Sequence, residues 1–457
     1  MKTLIYNATV INEGMEFEGA VAIDSEYISS VAQKGSPEYE ELLAGADRFS
    51  KTIDAQGALL IPGVIDDQVH FREPGATHKG DIRSESAAAV LGGTTSFMDM
   101  PNNNPPAVTL KRLEEKYRIA SKVSSANYSF YLGATNDNID EILKADSSRI
   151  CGIKLFMGSS TGNMLVNSDQ ALEKIFSSKM LVATHCEDEQ SIREALEEAK
   201  TKWGYDAQGR SLIPFREHPV IRSAQSCIKC TSRAIELALK HHSRLHILHI
   251  STAQELAMIR RAKEQNPGIT SEICVHYLYF DDTYYDKMGA MVKCNPAIKS
   301  REDREAIINE VASLGVDAVA TDHAPHTIEE KENDYLKAPS GLPTIQHSLQ
   351  MMLELSEKGL FPRTTVVTSM CHKPADCFRV SKRGYIRPGY YADLVLVRKV
   401  PYTVSDENIA YKCGWSPLKG TTFTYSVTDT FVNGCHTVAN GKLTGETNAL
   451  RLSFDRF

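Results

Sequence analysis

Through the middle of the chain, short apolar runs alternate with longer segments in which apolar residues recur every three or four positions. The runs predict buried strands over residues 61–71, 94–100, 128–134, 152–157, 180–185, 245–250, 271–277 and 316–321. The amphipathic segments between them predict helices that include 81–91, 110–121, 188–200, 253–263 and 301–313. A strand followed by a helix, repeated eight times, is the pattern of a (β/α)8 barrel. The ends of the chain read differently. Residues 1–58 look like short strands with turn signals at Asn12-Glu-Gly14 and Ala55-Gln-Gly57, and β patterning returns at Ala392-Asp-Leu-Val-Leu-Val397 and Thr428-Asp-Thr-Phe-Val-Asn-Gly434. The expected fold is α/β: a (β/α)8 TIM barrel over residues 59–377, with a small β-sandwich domain built from both termini, 1–58 plus 378–457.

Composition narrows the function. A net charge of −7 gives no electrostatic footprint for nucleic acid or an anionic membrane. No apolar run approaches the roughly 18 residues that a membrane span needs. The first residues alternate like a strand and lack the apolar core and cleavage site of a signal peptide. Ten cysteines are scattered through the chain, several of them in apolar strands (Cys151, Cys274, Cys294), which suits reduced thiols and a cytoplasmic location. Cys227-Ile-Lys-Cys230 has no second pair and falls in a helix-patterned segment, so a plain helical reading is favoured over zinc or redox use.

The polar residues at the strand ends carry the chemistry. The first apolar run leads into Asp66, His70 and Arg72, and the second ends in Asp99-Met-Pro-Asn102. The fourth holds Lys154 among apolar neighbours; the fifth ends at His185, the sixth at His249, and the eighth in Asp322-His-Ala-Pro-His326. One histidine after a strand is more often structural, but barrel active sites are assembled from the C-terminal strand ends, so His70, Lys154, His185, His249 and Asp322 should converge. Imidazole and carboxylate donors suit Zn²⁺ or a similar divalent ion. Lys154 is costly to bury as an ammonium. Burial favours the neutral amine, which CO₂ would convert to a metal-bridging carbamate; the bland reading is a salt bridge to a neighbouring strand. Arg72 and Asn102 have bland readings too, as a rim salt bridge with Glu73 and as a turn residue before Pro105-Pro106. The small, polar stretch from Gly158 to Leu165 reads as a loop at the mouth, either a lid or an ordinary connection. His246 is expected to be structural and to face away from His249, His323 to support a neighbouring ligand, and Glu187-Asp188 to begin a helix.

Several motifs together resemble the dihydroorotase family, cyclic-amide hydrolases of the amidohydrolase superfamily. They are Phe71-Arg-Glu-Pro-Gly75, Met100-Pro-Asn102, Lys154, the contexts of His185 and His249, Asn295-Pro296, Asp322-His-Ala-Pro-His326, Ala338-Pro-Ser-Gly-Leu-Pro343 and Lys412-Cys-Gly-Trp-Ser-Pro417. The resemblance implies one or two Zn²⁺ per subunit. His70, carbamylated Lys154 and Asp322 would hold one ion; the same carbamate, His185 and His249 would hold the other. It implies a metal-activated hydroxide, Asp322 as general base and then acid, and Arg72, Asn102 and His326 on the carboxylate of a small-molecule substrate, with Asn295 touching its ring. A homodimer, and association with aspartate transcarbamoylase, are partner expectations from the same source. The family usually has His-x-His after the first strand, whereas this chain has Gln68-Val-His70. A neutral amide is a poor zinc donor, so the first metal position is expected to be weakened. The alternatives are hydrolysis of another cyclic amide, such as a hydantoin, a dihydropyrimidine or allantoin, and an inactive structural partner of aspartate transcarbamoylase.

Overall fold

A computed structural model describes residues 2–158 and 164–455. Eight parallel strands form the barrel. In order they are Val64–Val69, Thr94–Asp99, a third strand broken at Tyr131 into Asn127–Phe130 and Leu132–Gly133, then Ile153–Phe156, Leu181–His185, Arg244–Ile247, Ile269–Cys274 and Ala318–Ala320. The circle closes where the His70 N–H donates to the His323 carbonyl at 2.7 Å, beside a parallel bridge from Val69 to His323. The intervening helices start on side-chain caps: Asp81 before Ile82–Leu91, Thr109 before Leu110–Val123, Asp188 before Glu189–Trp203, Thr252 before Ala253–Gln265 and Ser300 before Arg301–Ala312. Each cap accepts from a backbone N–H that the first helical turn would otherwise leave unpaired.

The apolar run expected as one strand, 61–71, is two. Leu59–Pro62 pairs parallel to Lys2–Asn12 and antiparallel to Leu394–Arg398 in a nine-stranded sheet built from both ends of the chain. Only Val64–Val69 enters the barrel. The crossing falls at Gly63, where a Cβ would lie 2.0 Å from Thr95 Oγ1. The strand pairing therefore moves the division expected at residue 59 to Gly63. Alternation accounts for the sheet's two faces. Leu59, Ile61, Val395 and Val397 pack into the barrel's outer core, while Leu60, Leu394 and Leu396 pack with Ile5, Val10, Val21 and Phe431. Each such side chain contributes about 1.5–3 kcal/mol by leaving water.

Parts of the C-terminal third return to the barrel. The hairpin Tyr402–Thr403 with Thr422–Phe423 leads to and from Trp415, whose indole N–H donates to the His326 carbonyl at 2.7 Å. Near the end of the chain, Arg451 bridges to Tyr128 and lays its guanidinium 3.4 Å over the Tyr117 ring. No helix among the described residues is long and apolar enough to cross a membrane.

Candidate active site

At the C-terminal ends of the strands lies a cavity of about 690 Å³. Its lining includes His70, Arg72, Asn102, Lys154, His185, His249, Asn295, Asp322 and His326, together with Gln68, Lys79 and Met164. Three of these residues hold left-handed backbone, with φ of 67° at Arg72, 42° at His249 and 45° at Asp322. That conformation costs an L-residue roughly 1–2 kcal/mol and is held only where the surroundings fix it. It falls just past the strand ends and turns these side chains toward the cavity.

On one side, His185 Nδ1 faces His249 Nε2 at 2.9 Å, with the two rings nearly perpendicular. Burial pushes both imidazoles below their ordinary range, so both are neutral and keep a lone pair. Behind them Glu187 Oε2 stands 2.9 Å from His185 Nε2 and 3.3 Å from Arg222 Nη2. Although burial opposes it, Arg222 and His185 hold the Glu187 carboxyl down to about 2. Glu187 was expected to serve the start of the following helix; instead Asp188 caps that helix, and Glu187 is buried against the histidine.

Across the cavity, His70 Nε2 lies 3.1 Å from Asp322 Oδ1, and His70 Nδ1 lies 2.9 Å from Asn102 Oδ1. Gln68 Nε2 donates to the same Asp322 oxygen at 3.1 Å, while Gln68 Oε1 is buried with no hydrogen-bond partner among the described residues. Burial raises the Asp322 carboxyl, but His70 outweighs it, helped by His276 and Lys154, and holds Asp322 below its usual range. The Asn102 oxygen is thus engaged with His70, an orienting contact that the expected carboxylate role does not include.

Lys154 is buried, with Nζ 4.5 Å from the centre of the Phe156 ring. It forms no salt bridge with a described residue, although the Asp322 and Glu272 carboxylates act on its charge at longer range. Burial lowers its ammonium to about 8.

The outer end of the cavity is cationic. Arg72 Nε donates to the Pro325 carbonyl at 3.0 Å, and Nη2 lies 3.1 Å from His326 Nε2. His326 Nδ1 is 3.0 Å from Glu330 Oε2 and 3.1 Å from Lys79 Nζ. Arg72 makes no salt bridge with any described residue; the carboxylate of Glu73 accepts instead from the Ile82 N–H. Burial, reinforced by Arg72 and Lys79, keeps His326 neutral. Asn295 Oδ1 is buried with no hydrogen-bond partner among the described residues.

Two other expectations change. His323 does not orient a cavity residue through its ring: Nε2 is 2.8 Å from Glu85 Oε2, and Nδ1 accepts from the Thr344 N–H at 3.1 Å. His246 was expected on the side opposite His249; it points into the barrel interior, where its Nε2 lies 3.1 Å from Asp67 Oδ2. The sixth strand ends at Ile247, and the left-handed turn at His249 breaks the alternation from which the opposite facing was inferred. Of the mouth loop expected over 158–165, residues 159–163 lie outside the described residues.

Comparison with known proteins fits this geometry. The pattern of the Amidohydrolase family matches residues 59–436. The chain belongs to the amidohydrolase family. A dihydroorotase of Methanosphaera stadtmanae is 31% identical over 409 residues, covering 87% of this chain and 90% of the relative. An allantoinase of Deinococcus radiodurans is 29% identical over 87% of this chain and 88% of the relative. Among solved structures, L-hydantoinase from Arthrobacter aurescens superposes with a TM-score of 0.90 at 24% identity, covering 99% of each chain. The barrel with its terminal β sheet is thus the fold of this amidohydrolase. Its cavity residues fit a divalent ion: two neutral imidazoles present nitrogens to each other, an ionised carboxylate faces them from across the site, and a buried lysine with no salt bridge to a described residue lies beside them.

Proposed function

We propose that this amidohydrolase interconverts (S)-dihydroorotate and N-carbamoyl-L-aspartate, a step of pyrimidine synthesis, in the cytoplasm. The observation that carries the reading is Arg72. It is a partly buried guanidinium at the cavity's outer end, with no carboxylate partner among the described residues and with Lys79 and His326 beside it. A cation that lines a cavity without a salt-bridge partner is placed to receive an anion, and a planar guanidinium meets a carboxylate with two parallel hydrogen bonds. Dihydroorotate carries a ring carboxylate, whereas hydantoin and allantoin rings do not.

His185, His249, Lys154 as its carbamate, His70 and Asp322 would hold one or two Zn²⁺, which would supply Lewis acidity at the scissile amide and lower the pKa of water. Glu187 fixes the His185 ring. Asp322, ionised and hydrogen-bonded by Gln68 and His70, is the group to take a proton from the attacking water and return it to the leaving ring nitrogen. Arg72 and His326 hold the substrate carboxylate, and Asn295 Oδ1 accepts from a ring N–H. Asn102 acts through His70.

The test is a substrate panel on zinc-supplemented protein. Dihydroorotate is expected to be turned over in preference to hydantoin, dihydrouracil and allantoin, and Arg72→Ala is expected to remove that preference. Equal losses on charged and uncharged rings would contradict the role given to Arg72, and no hydrolysis of any ring would remove the enzyme reading.

A further inference from the structure

Inside the barrel, close to the mouth, lies a second set of ionisable side chains that the proposed reaction does not use. Asp67 comes from the first barrel strand, His246 from the sixth and Glu272 from the seventh, and all three are 0% exposed. One candidate donor atom from each lies within 4.8 Å of the others. The first strand reaches this set through an irregularity in its register: three steps, from Asp66 to Val69, face two on its neighbour, from Phe97 to Asp99. Such a bulge lets consecutive residues depart from strict alternation, so Asp67 and Gln68 both turn inward.

Hydrogen-bond accounting shows what the cluster lacks. His246 Nδ1 is 2.8 Å from Thr270 Oγ1, and that hydroxyl donates to the Leu245 carbonyl at 3.1 Å. With that hydroxyl proton on Leu245, a neutral ring carries its proton on Nδ1 and presents the Nε2 lone pair to Asp67 Oδ2, 3.1 Å away, the state a cation between them would select; with the hydroxyl proton on Nδ1, or with a charged ring, Nε2–H donates to Asp67 instead. Glu272 Oε1 accepts from the Cys274 thiol at 3.0 Å and from the His249 N–H at 3.3 Å. Glu272 Oε2 and Asp67 Oδ1 are buried with no hydrogen-bond partner among the described residues. Unpartnered carboxylate oxygens in a protein interior carry their full desolvation cost, and so call for a partner.

We propose that Asp67, His246 and Glu272 form a buried site for a divalent first-row cation, separate from the one at the mouth. Two carboxylates and a neutral imidazole balance a charge of +2, and oxygen with imidazole nitrogen is a donor set that Zn²⁺ takes. Thr270 orients the His246 ring for this role, as hydrogen-bonded neighbours of metal-bound histidines do. Because Glu272 also accepts from the His249 N–H, an ion here would brace the strand end that presents His249 to the mouth. The competing occupant is protons: against the effect of burial, Cys377 and Asp67 draw the His246 imidazole above its ordinary range, and burial pushes the Glu272 carboxyl up.

Crystals of the wild-type protein grown with excess ZnCl₂, measured on both sides of the zinc absorption edge, test this. An anomalous peak bonded to Asp67, His246 Nε2 and Glu272 Oε2 is expected, whatever the mouth holds. A map with no peak there would overturn the site in favour of protons. In solution, Asp67→Asn is expected to lower zinc by one equivalent per chain in elemental analysis after dialysis, while the anomalous signal at His185 and His249 persists. Equal zinc in both proteins would overturn the proposal. Neither readout uses turnover, so inactivity on dihydroorotate would leave this result unaffected.

Discussion

The two walls of the cavity are built to different standards. On the His185 side, both imidazoles are neutral, they face each other at 2.9 Å, and a Glu187–Arg222 pair steadies one of them from behind. On the His70 side, an amide stands where a second imidazole is usual, and it donates its Nε2–H to Asp322 instead of offering a lone pair. The contrast shows that presence in the cavity is not equivalence of role. One wall is organised to grip a cation. The other is organised to keep a carboxylate ionised and in place.

The largest effect that would sharpen this contrast concerns Asp322. Asp322→Asn is expected to lower kcat about 10²–10⁴-fold, the usual worth of a positioned proton carrier, with zinc at the His185 wall retained. If kcat held while zinc was lost, the division of labour between the walls would be reversed. Next comes Arg72→Ala, expected to cost about 100-fold in kcat/KM on dihydroorotate through loss of a charged hydrogen-bond pair, with little change on uncharged rings. Glu187→Gln leaves a neutral partner beside His185 and is expected to weaken zinc binding at that wall about 10-fold, measured by competition with a chelator. An unchanged affinity would show that Glu187 serves only Arg222. The smallest effect is a gain: Gln68→His should tighten metal binding at the His70 wall, and unchanged stoichiometry and affinity would count against the idea that the amide weakens it.

Lysine 154 adds a dependence on pH. Only the neutral amine reacts with CO₂, and burial brings the ammonium down to about 8. With dissolved CO₂ held at one concentration, reactivation of metal-stripped protein by zinc should therefore quicken as pH rises through about 8 and level off above it. A rate independent of pH between 7 and 9 would argue against carbamate formation at this lysine.

The sequence made the barrel readable because eight apolar runs alternated with amphipathic segments and six of them ended in polar residues, a pattern that survives without knowledge of pairing. Which sheet a run joins was hidden. Leu59–Pro62 and Val64–Val69 are equally buried, and only the close approach of Gly63 to Thr95 separates them. The cavity residues were legible where a side chain follows a strand end, as with His70, His185 and Asp322. Lys79 and Glu330 were not, because they lie outside the strands and are brought into a direct ion pair beside His326 only by the fold. Glu187 was masked by its place at a helix start, where acidic residues are ordinary. His246 was misplaced because counting by twos assumes a strand that continues, and this one stops at Ile247.

The most direct test of the whole account is turnover of dihydroorotate by wild-type protein before chelation, after removal of metal, and after reloading with Zn²⁺. The arrangement of His185, His249, Lys154 and Asp322 around one cavity leads us to expect hydrolysis that disappears with the metal and returns with zinc. Hydrolysis that continues undiminished in metal-free protein would contradict it.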